Sequence, residues 1–426
     1  MRIDRLEIEN FKKYKHLLIE LNENFTLLIG ENGSGKTTIL DALAIAASVW
    51  VESEWRYAGR QLDYSDLRQV ANEEQGQLSI ETPYTARVGA RGQIAGRHLE
   101  WVRELHQYQH YEQAQDEAQL AVEDFRSRAL KGEIFLLPVL AYYKDKRAWS
   151  SGDYFDPDGG EPEERTYERW HVLRDMCDGL LFRDLRKWFE EQNSLGPAGS
   201  GPYKVVLAAL LRCIPDASDV RLTSNLEIVV MVGGNWCAFE DFSAGQRMMF
   251  ALVANLAIKC VTQNAYLIPP DELPLDGSLP EVLKQTPGLV LIDELDVHLH
   301  PRWQRRIVKD LKETFPAIQF VCTSHSPQIV GELRPEEIRV LKGEKAHTPA
   351  RSFGIDSSRL LEELMGAEAR DPGIAEKLKK LFHEIDQEDF NAAKQLLPDL
   401  EDRIGRDDPE LVRARALMDF LEADLS

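Results

Sequence analysis

Near its amino terminus the chain passes from an apolar stretch, "FTLLIG", through a glycine loop, "GENGSGKT" at Gly30 to Thr37, into "KTTILDALAIAASVWV", where apolar residues recur at helical spacing. Nothing else in the sequence limits the fold so tightly. A strand apolar throughout is buried on both faces, as in a parallel sheet flanked by helices. Gly30, Glu31, Asn32, Gly33, Ser34, Gly35, Lys36 and Thr37 match the pattern G-x-x-x-x-G-K-[ST] without a departure. The glycines let the backbone curl until its N–H groups point inward at the α- and β-phosphates of a nucleotide, and the helix starting near Lys36 adds its positive dipole end. Lys36 then reaches the β- and γ-phosphates, while the Thr37 hydroxyl, with Thr38 next to it, meets a Mg²⁺ ion. ATP and Mg²⁺ are the expected cofactors.

A phosphate cradle alone hydrolyses nothing, so a second half-site is needed. "LVLIDE" supplies one: four apolar residues of a buried strand end in Asp293 and Glu294. Asp293 is expected to hold the Mg²⁺ ion, usually through water, and Glu294 to polarise the attacking water. "TSHSPQ" closes a further apolar strand, and His325 there can donate to a γ-phosphate or to that water; a merely exposed strand-end histidine is the competing interpretation. His298 and His300 in "HLHPRWQ", two residues apart and with no cysteine nearby, make a poor zinc pair.

Strands alternating with helices around these motifs predict an α/β domain with a largely parallel sheet. "DRLEIENF" and "KHLLIEL" read as strands before the loop, "IFLLPVLAYY" as a buried strand, and "LLFRDLRKWFEEQ" and "PRWQRRIVKDLKETF" as helices. Residues 50–135 are polar and irregular in pattern, and their Gln/Glu-rich end, "LHQYQHYEQAQDEAQLAVEDF", reads as one exposed helix. Beyond about 354, Ile374, Leu378, Leu381, Phe382 and Ile385 share one helical face, and Leu411, Ala414, Leu417, Met418 and Leu421 share another. The expected division is a core over 1–50 and 280–350, an insertion and helical lobe over 51–279, and a helical module over 354–426.

A formal net charge of −21 argues against a pervasive nucleic-acid coat, which needs clustered Lys and Arg. "NFKKYKH" and "YYKDKRAW" could line a local basic groove or form a solvated surface. The five cysteines are scattered without C-x-x-C spacing, "MRIDRLEIENFKKYKH" lacks a leader-like apolar core, and no apolar run approaches the roughly 20 residues of a membrane span. A cytoplasmic location without membrane contact is expected.

"FSAGQRMMFALVANLAI" opens a helix with Ser243, Ala244, Gly245 and Gln246. A hydroxyl and flexible backbone N–H groups at a helix start form an anion site without an anion of its own.

Together the P-loop, "FSAGQ", "LIDELD" and "SHS" resemble, in content and order, the ABC-type ATPases, and "RLEIENFKKYKHLLIEL" resembles the opening strands of their SMC, RecF and OLD-like branch. "LPVLAYY", "GLVLIDELDVHLHPRWQRRIV", "IQFVCTSHSPQIV" and the run "FHEIDQEDFNAAKQLLPDLEDRIGRDDPELVRARALMDFLE" resemble bacterial stand-alone AAA-family ATPases, some of them ATPase subunits of Septu-type or retron-associated antiphage systems. The resemblance implies an ABC-type P-loop ATPase head of α/β class, with a mixed, largely parallel core sheet, a helical lobe and a small C-terminal helical module. It also implies a homodimer that sandwiches ATP, with Ser243, Ala244, Gly245 and Gln246 facing the partner's nucleotide and the turn at Asp296 crossing the interface; higher oligomers stay open. Lys12 stands where the family has an arginine, which implies a basic contact to the nucleotide. Ala244 replaces the usual glycine, a small change that still permits close approach, whereas no Q-loop glutamine is found near "AYYKDKRAW", which leaves the lid contact to Mg²⁺ open and implies slow hydrolysis. The implied function is an ATP-dependent switch controlling a separately encoded effector, an HNH-type nuclease in antiphage defence. Two alternatives stay open: a RecF-like DNA-repair ATPase that contacts DNA directly, and a nucleotide-gated scaffold with little turnover.

Overall fold

In the computed structural model, which describes residues 1–50, 62–74, 77–106, 116–144, 182–193, 201–225, 227–267, 278–366 and 370–424, the strand Phe25–Ile29 is buried along its whole length. It lies inside a six-stranded sheet ordered Lys345–His347, Ile338–Lys342, Phe25–Ile29, Ile318–Thr323, Gly288–Ile292, Val139–Tyr143. Every neighbouring pair is parallel except the first, which is antiparallel. The sheet is therefore mixed and largely parallel. Its register sets Leu28 beside Thr323, and Ile292 beside Cys322 and Tyr143. The chain thus leaves Ile29, Ile292 and Thr323 at the same sheet margin, the carboxyl end of the strands, where parallel sheets bind ligands.

A second, antiparallel sheet is ordered Tyr14–Glu20, Arg2–Phe11, Thr85–Ile94, Arg97–His106. Its last two strands correct the expectation of irregular chain between 50 and 135. Their buried positions, Ala86, Val88, Ala90 and Ile94, alternate as a half-buried strand requires. Trp101 faces Ala90 across the ladder, and its indole N–H donates to the Ala46 carbonyl at 2.9 Å. Burying so large an aromatic contributes roughly 2–3 kcal/mol. The Gln/Glu-rich segment is likewise not an exposed helix throughout. Glu117–Leu130 is helical and buries Ala118, Ala121, Val122 and Phe125, while 107–115 lie outside the described residues.

The helix Lys36–Ala47 is packed into the core between these sheets through Ile39, Leu40, Leu43 and Ile45, alongside Leu6, Ile8, Val88, Leu289 and Val321. Three more helices, Phe182–Asn193, Gly201–Cys213 and Ala244–Gln263, build the helical lobe, with Phe189 and Phe239 ringing Phe250 at centroid distances of 6.2 and 5.2 Å. These elements belong to a compact unit spanning Met1–Leu360.

The second unit, Leu361–Ser426, is helical. Pro372–Asp386, Phe390–Ile404 and Pro409–Asp424 bury Leu378, Leu381 and Ile385 against Leu397, Leu400, Leu411, Ala414 and Met418. No helix among the described residues is long and apolar enough to cross a membrane.

Candidate nucleotide site

The P-loop is braced by the turn between the first two strands. The Tyr14 hydroxyl donates to the Ser34 carbonyl at 2.8 Å, and Lys13 Nζ donates to the Gly33 carbonyl at 2.5 Å. Gly35 caps the following helix in the left-handed region at φ 96°, and a Cβ there would fall 2.5 Å from the Tyr14 hydroxyl. Glycine is therefore required twice over, by conformation and by the aromatic pressed on it. Inside the loop Lys36 Nζ donates to the carbonyls of Gly30 at 2.9 Å and Glu31 at 3.1 Å. Burial pushes the Lys36 ammonium below its ordinary value, opposed by Asp293, Glu294 and Asp296 and reinforced by Lys13. A polyanion would relieve that penalty. The Ser34 hydroxyl is buried with no hydrogen-bond partner among the described residues, and an orphaned donor inside such a loop suits a phosphate oxygen.

Asp293 and Glu294 follow the buried strand Gly288–Ile292. Thr37 Oγ1 donates to Asp293 Oδ2 at 2.8 Å, and Thr323 Oγ1 donates to Asp293 Oδ1 at 2.6 Å. Two ligand oxygens on adjacent corners of a Mg²⁺ octahedron, each about 2.1 Å from the ion, lie about 3 Å apart. The hydroxyl of Thr37 and the carboxylate of Asp293 already have that spacing, so the pair fits the ion. Thr323 also accepts from the Glu294 N–H at 2.7 Å, which steadies Glu294 in a left-handed backbone at φ 50°. Such a conformation costs of order 1 kcal/mol or more in a non-glycine residue and concentrates at functional sites.

Asp296 accepts the His325 backbone N–H at 3.1 Å, which ties the turn after Glu294 to the exposed His325. Ser243 caps the helix Ala244–Gln263: its hydroxyl accepts the Gln246 N–H at 3.3 Å while Gln246 Oε1 accepts the Ser243 N–H at 2.9 Å. Ser243 and Ala244 are exposed, and no hydrogen bond among the described residues joins 243–246 to the P-loop. Gly245 has a packing reason, since a Cβ there would meet the His298 carbonyl at 2.2 Å. His300 caps its own helix, accepting the Arg302 N–H at 3.2 Å.

Among the described residues Lys12 makes no hydrogen bond to the loop. Its ammonium pairs with Asp41 on the P-loop helix and lies 3.7 Å from Asp66, while Tyr142 donates to the other Asp41 oxygen at 3.2 Å. The basic side chain that touches the loop belongs to its neighbour Lys13, in the same "NFKKYKH". Tyr14, in that stretch, and Thr323, the polar end of an apolar strand, join the site through contacts between residues 20 to 30 positions apart. Residues 145–149 of the "AYYKDKRAW" region lie outside the described residues.

A triphosphate can thus lie along the loop with a divalent ion between Thr37 and Asp293, and Glu294 is the adjoining carboxylate. Comparison with known proteins agrees with that chemistry. The family described as "AAA ATPase domain" matches residues 1–81, and "AAA domain, putative AbiEii toxin, Type IV TA system" matches residues 178–331. The chain is 25% identical to "Retron Ec83 probable ATPase" of Escherichia coli over 97% of its own length and 86% of that protein. It is 24% identical to "Septu protein PtuA" of Bacillus thuringiensis, covering 91% of this chain and 90% of the other. A solved SMC head bound to the C-terminal winged-helix domain of ScpA aligns with a TM-score of 0.41 and 15% identity, over 83% of this chain and 98% of that one. The chain thus carries two segments that match AAA-type ATPase domains, and over most of its length it is similar to a retron probable ATPase and to a Septu protein.

Proposed function

We propose that this ATPase is a nucleotide-dependent dimeric switch: two copies sandwich ATP, hydrolysis separates them, and a separately encoded effector nuclease of an antiphage system reads the difference. The observation that carries the reading is the contrast between two half-sites. The P-loop, Thr37 and Asp293 converge within one chain, whereas the Ser243 helix start is exposed and shares no hydrogen bond with them. A helix N-terminus with a free outer face suits a phosphate supplied by another copy.

In the proposed cycle Lys36 leaves the Gly30 and Glu31 carbonyls for the β- and γ-phosphates. Thr37 and Asp293 would hold Mg²⁺, which would supply positive charge against the negative charge developing on the phosphates. Glu294 accepts a proton from the attacking water, and His325 donates to the γ-phosphate. Ser243 and Gly245 of the second copy close over that phosphate, and the Asp296 turn lies at the interface. Lys13, rather than Lys12, supplies the basic contact from the strand turn. Similarity to the retron Ec83 probable ATPase and to Septu protein PtuA supports the defence setting and a separately encoded partner.

Glu294→Gln tests the reading, because it removes the base and leaves the binding groups intact. Light scattering should show a stable ATP-dependent dimer for the variant and a transient one for the wild type. A variant that stays monomeric in ATP counts against the sandwich, and a wild type already locked as a dimer favours the scaffold alternative.

A further inference from the structure

Two turns and a helix converge on one side chain. Gln304, in the helix Pro301–Thr314, donates from Nε2 to the Leu299 carbonyl at 2.9 Å and to the Asp296 carbonyl at 3.3 Å. Its Oε1 accepts from the Ser326 hydroxyl at 2.7 Å. The carboxamide is therefore used at both ends, with its donors on the turn after Glu294 and its acceptor on the switch turn. A second link runs parallel to it, from the His325 N–H to the Asp296 carboxylate. On the far side of the first turn, the His298 carbonyl packs on Gly245 so closely that no Cβ fits between them. Direct contact thus runs from Gly245 through the 296–299 turn and Gln304 to Ser326 and His325.

We propose that Gln304 is a positioning residue that couples the half-site a chain offers to a second copy, at 243–246 and Asp296, to the half-site it uses itself, at His325. The inference rests on the sandwich reading above. Only a carboxamide serves at this position: Lys and Arg lack an acceptor for the Ser326 hydroxyl, and a carboxylate lacks donors for the two carbonyls. With the latch in place the two turns move as one body, so closure of a partner's phosphate on one helix start is felt at the same chain's switch histidine. Without it they relax separately.

Hydrogen exchange on the nucleotide-free full chain, combined with steady-state ATP hydrolysis, tests this on Gln304→Met, which keeps the volume, and on Gln304→Glu, which keeps only acceptors. Both variants should exchange faster at the 296–299 and 324–326 turns together. Their kcat should fall about tenfold or more while KM for ATP stays near wild type, and the thermal midpoint should drop by a few degrees as the Leu299 and Asp296 carbonyls lose their donor. Faster exchange confined to one turn, or an unchanged kcat, overturns the coupling. So does a loss of kcat matched by a raised KM, which marks a general loosening of the site. If the wild type neither pairs nor turns over ATP, the sandwich reading fails and takes the link between half-sites with it; the exchange pattern then separately decides whether Gln304 joins the two turns.

Discussion

Thr37 and Asp293, 256 residues apart, are joined by a 2.8 Å hydrogen bond at the carboxyl end of the parallel sheet. The bond brings the start of the P-loop helix to the end of the Gly288–Ile292 strand. Thr323, on the strand between those two halves, holds the other Asp293 oxygen and the Glu294 N–H.

Thr323→Val, which keeps the shape and removes the hydroxyl, should therefore remove one hold on each acid at once. Stability should fall by about 1–3 kcal/mol, because the Glu294 N–H loses its acceptor. The ATPase kcat should fall by about tenfold to a hundredfold through misplacement of the reacting groups. Thr323→Ser should restore most of both. Urea unfolding and steady-state kinetics measure the pair of effects, and a Val variant with wild-type kcat sinks the assignment.

The helix start at Ser243 separates function from packing. Ser243→Arg removes a cap worth about 1 kcal/mol, yet the buried Met248, Phe250 and Leu252 keep the helix in place. Monomer ATP affinity should survive, and ATP-driven dimerisation should be lost in light scattering. Gly245→Ala should act through the fold instead, costing about 1–3 kcal/mol as the new methyl drives into the His298 carbonyl. A Gly245→Ala chain as stable as wild type would show that the turn yields freely.

The two adjacent lysines should behave in opposite ways. Lys12→Met breaks the pair with the mostly buried Asp41 and should cost roughly 1–3 kcal/mol in unfolding, with ATP affinity almost unchanged. Lys13→Met should leave stability within about 0.5 kcal/mol and weaken ATP binding about five- to tenfold, the size of one charge-assisted bond. Fluorescent-nucleotide titration beside chemical unfolding distinguishes them. Equal effects on affinity would return Lys12 to the site.

Burial pushes the thiols of Cys213 and Cys260 up to about 12 from an ordinary 9.0. Between those values the unfolded chain has released protons that the folded chain still holds. Stability should therefore fall as pH rises from about 9 toward 12, and these two groups should contribute no slope at neutral pH. Unfolding at about pH 8 and about pH 10.5 checks the sign. In maleimide labelling the partly exposed Cys237 should react in the folded chain, with Cys213 and Cys260 reacting only once it unfolds.

Much of the core was legible because its signals are local. Phe25–Ile29 and Gly288–Ile292 carry their burial in plain apolar runs, and the C-terminal stripes recur at helical spacing. The hairpin Thr85–Ile94 with Arg97–His106 was not legible, because its inward positions are largely Ala and Val, and their burial depends on Trp101 filling the space from the next strand. Small residues carry little hydropathy, so the alternation is visible only once the partner is known.

The sequence by itself determined the phosphate loop, the two acids after an apolar strand and the capped helix start, since each depends on neighbours a few residues away. Tertiary structure alone decided which lysine reaches the loop. Lys12 and Lys13 occupy one turn, and the left-handed backbone at Lys12, φ 47°, accompanies its pairing with Asp41 while Lys13 meets Gly33. It also decided that Gly245 packs on the His298 carbonyl, that Thr323 bonds both Asp293 and Glu294, and that Gln304 bonds the Ser326 hydroxyl. Those contacts join residues far apart in the chain, and their geometry exists only after parallel pairing has brought the strand ends to one margin of the sheet.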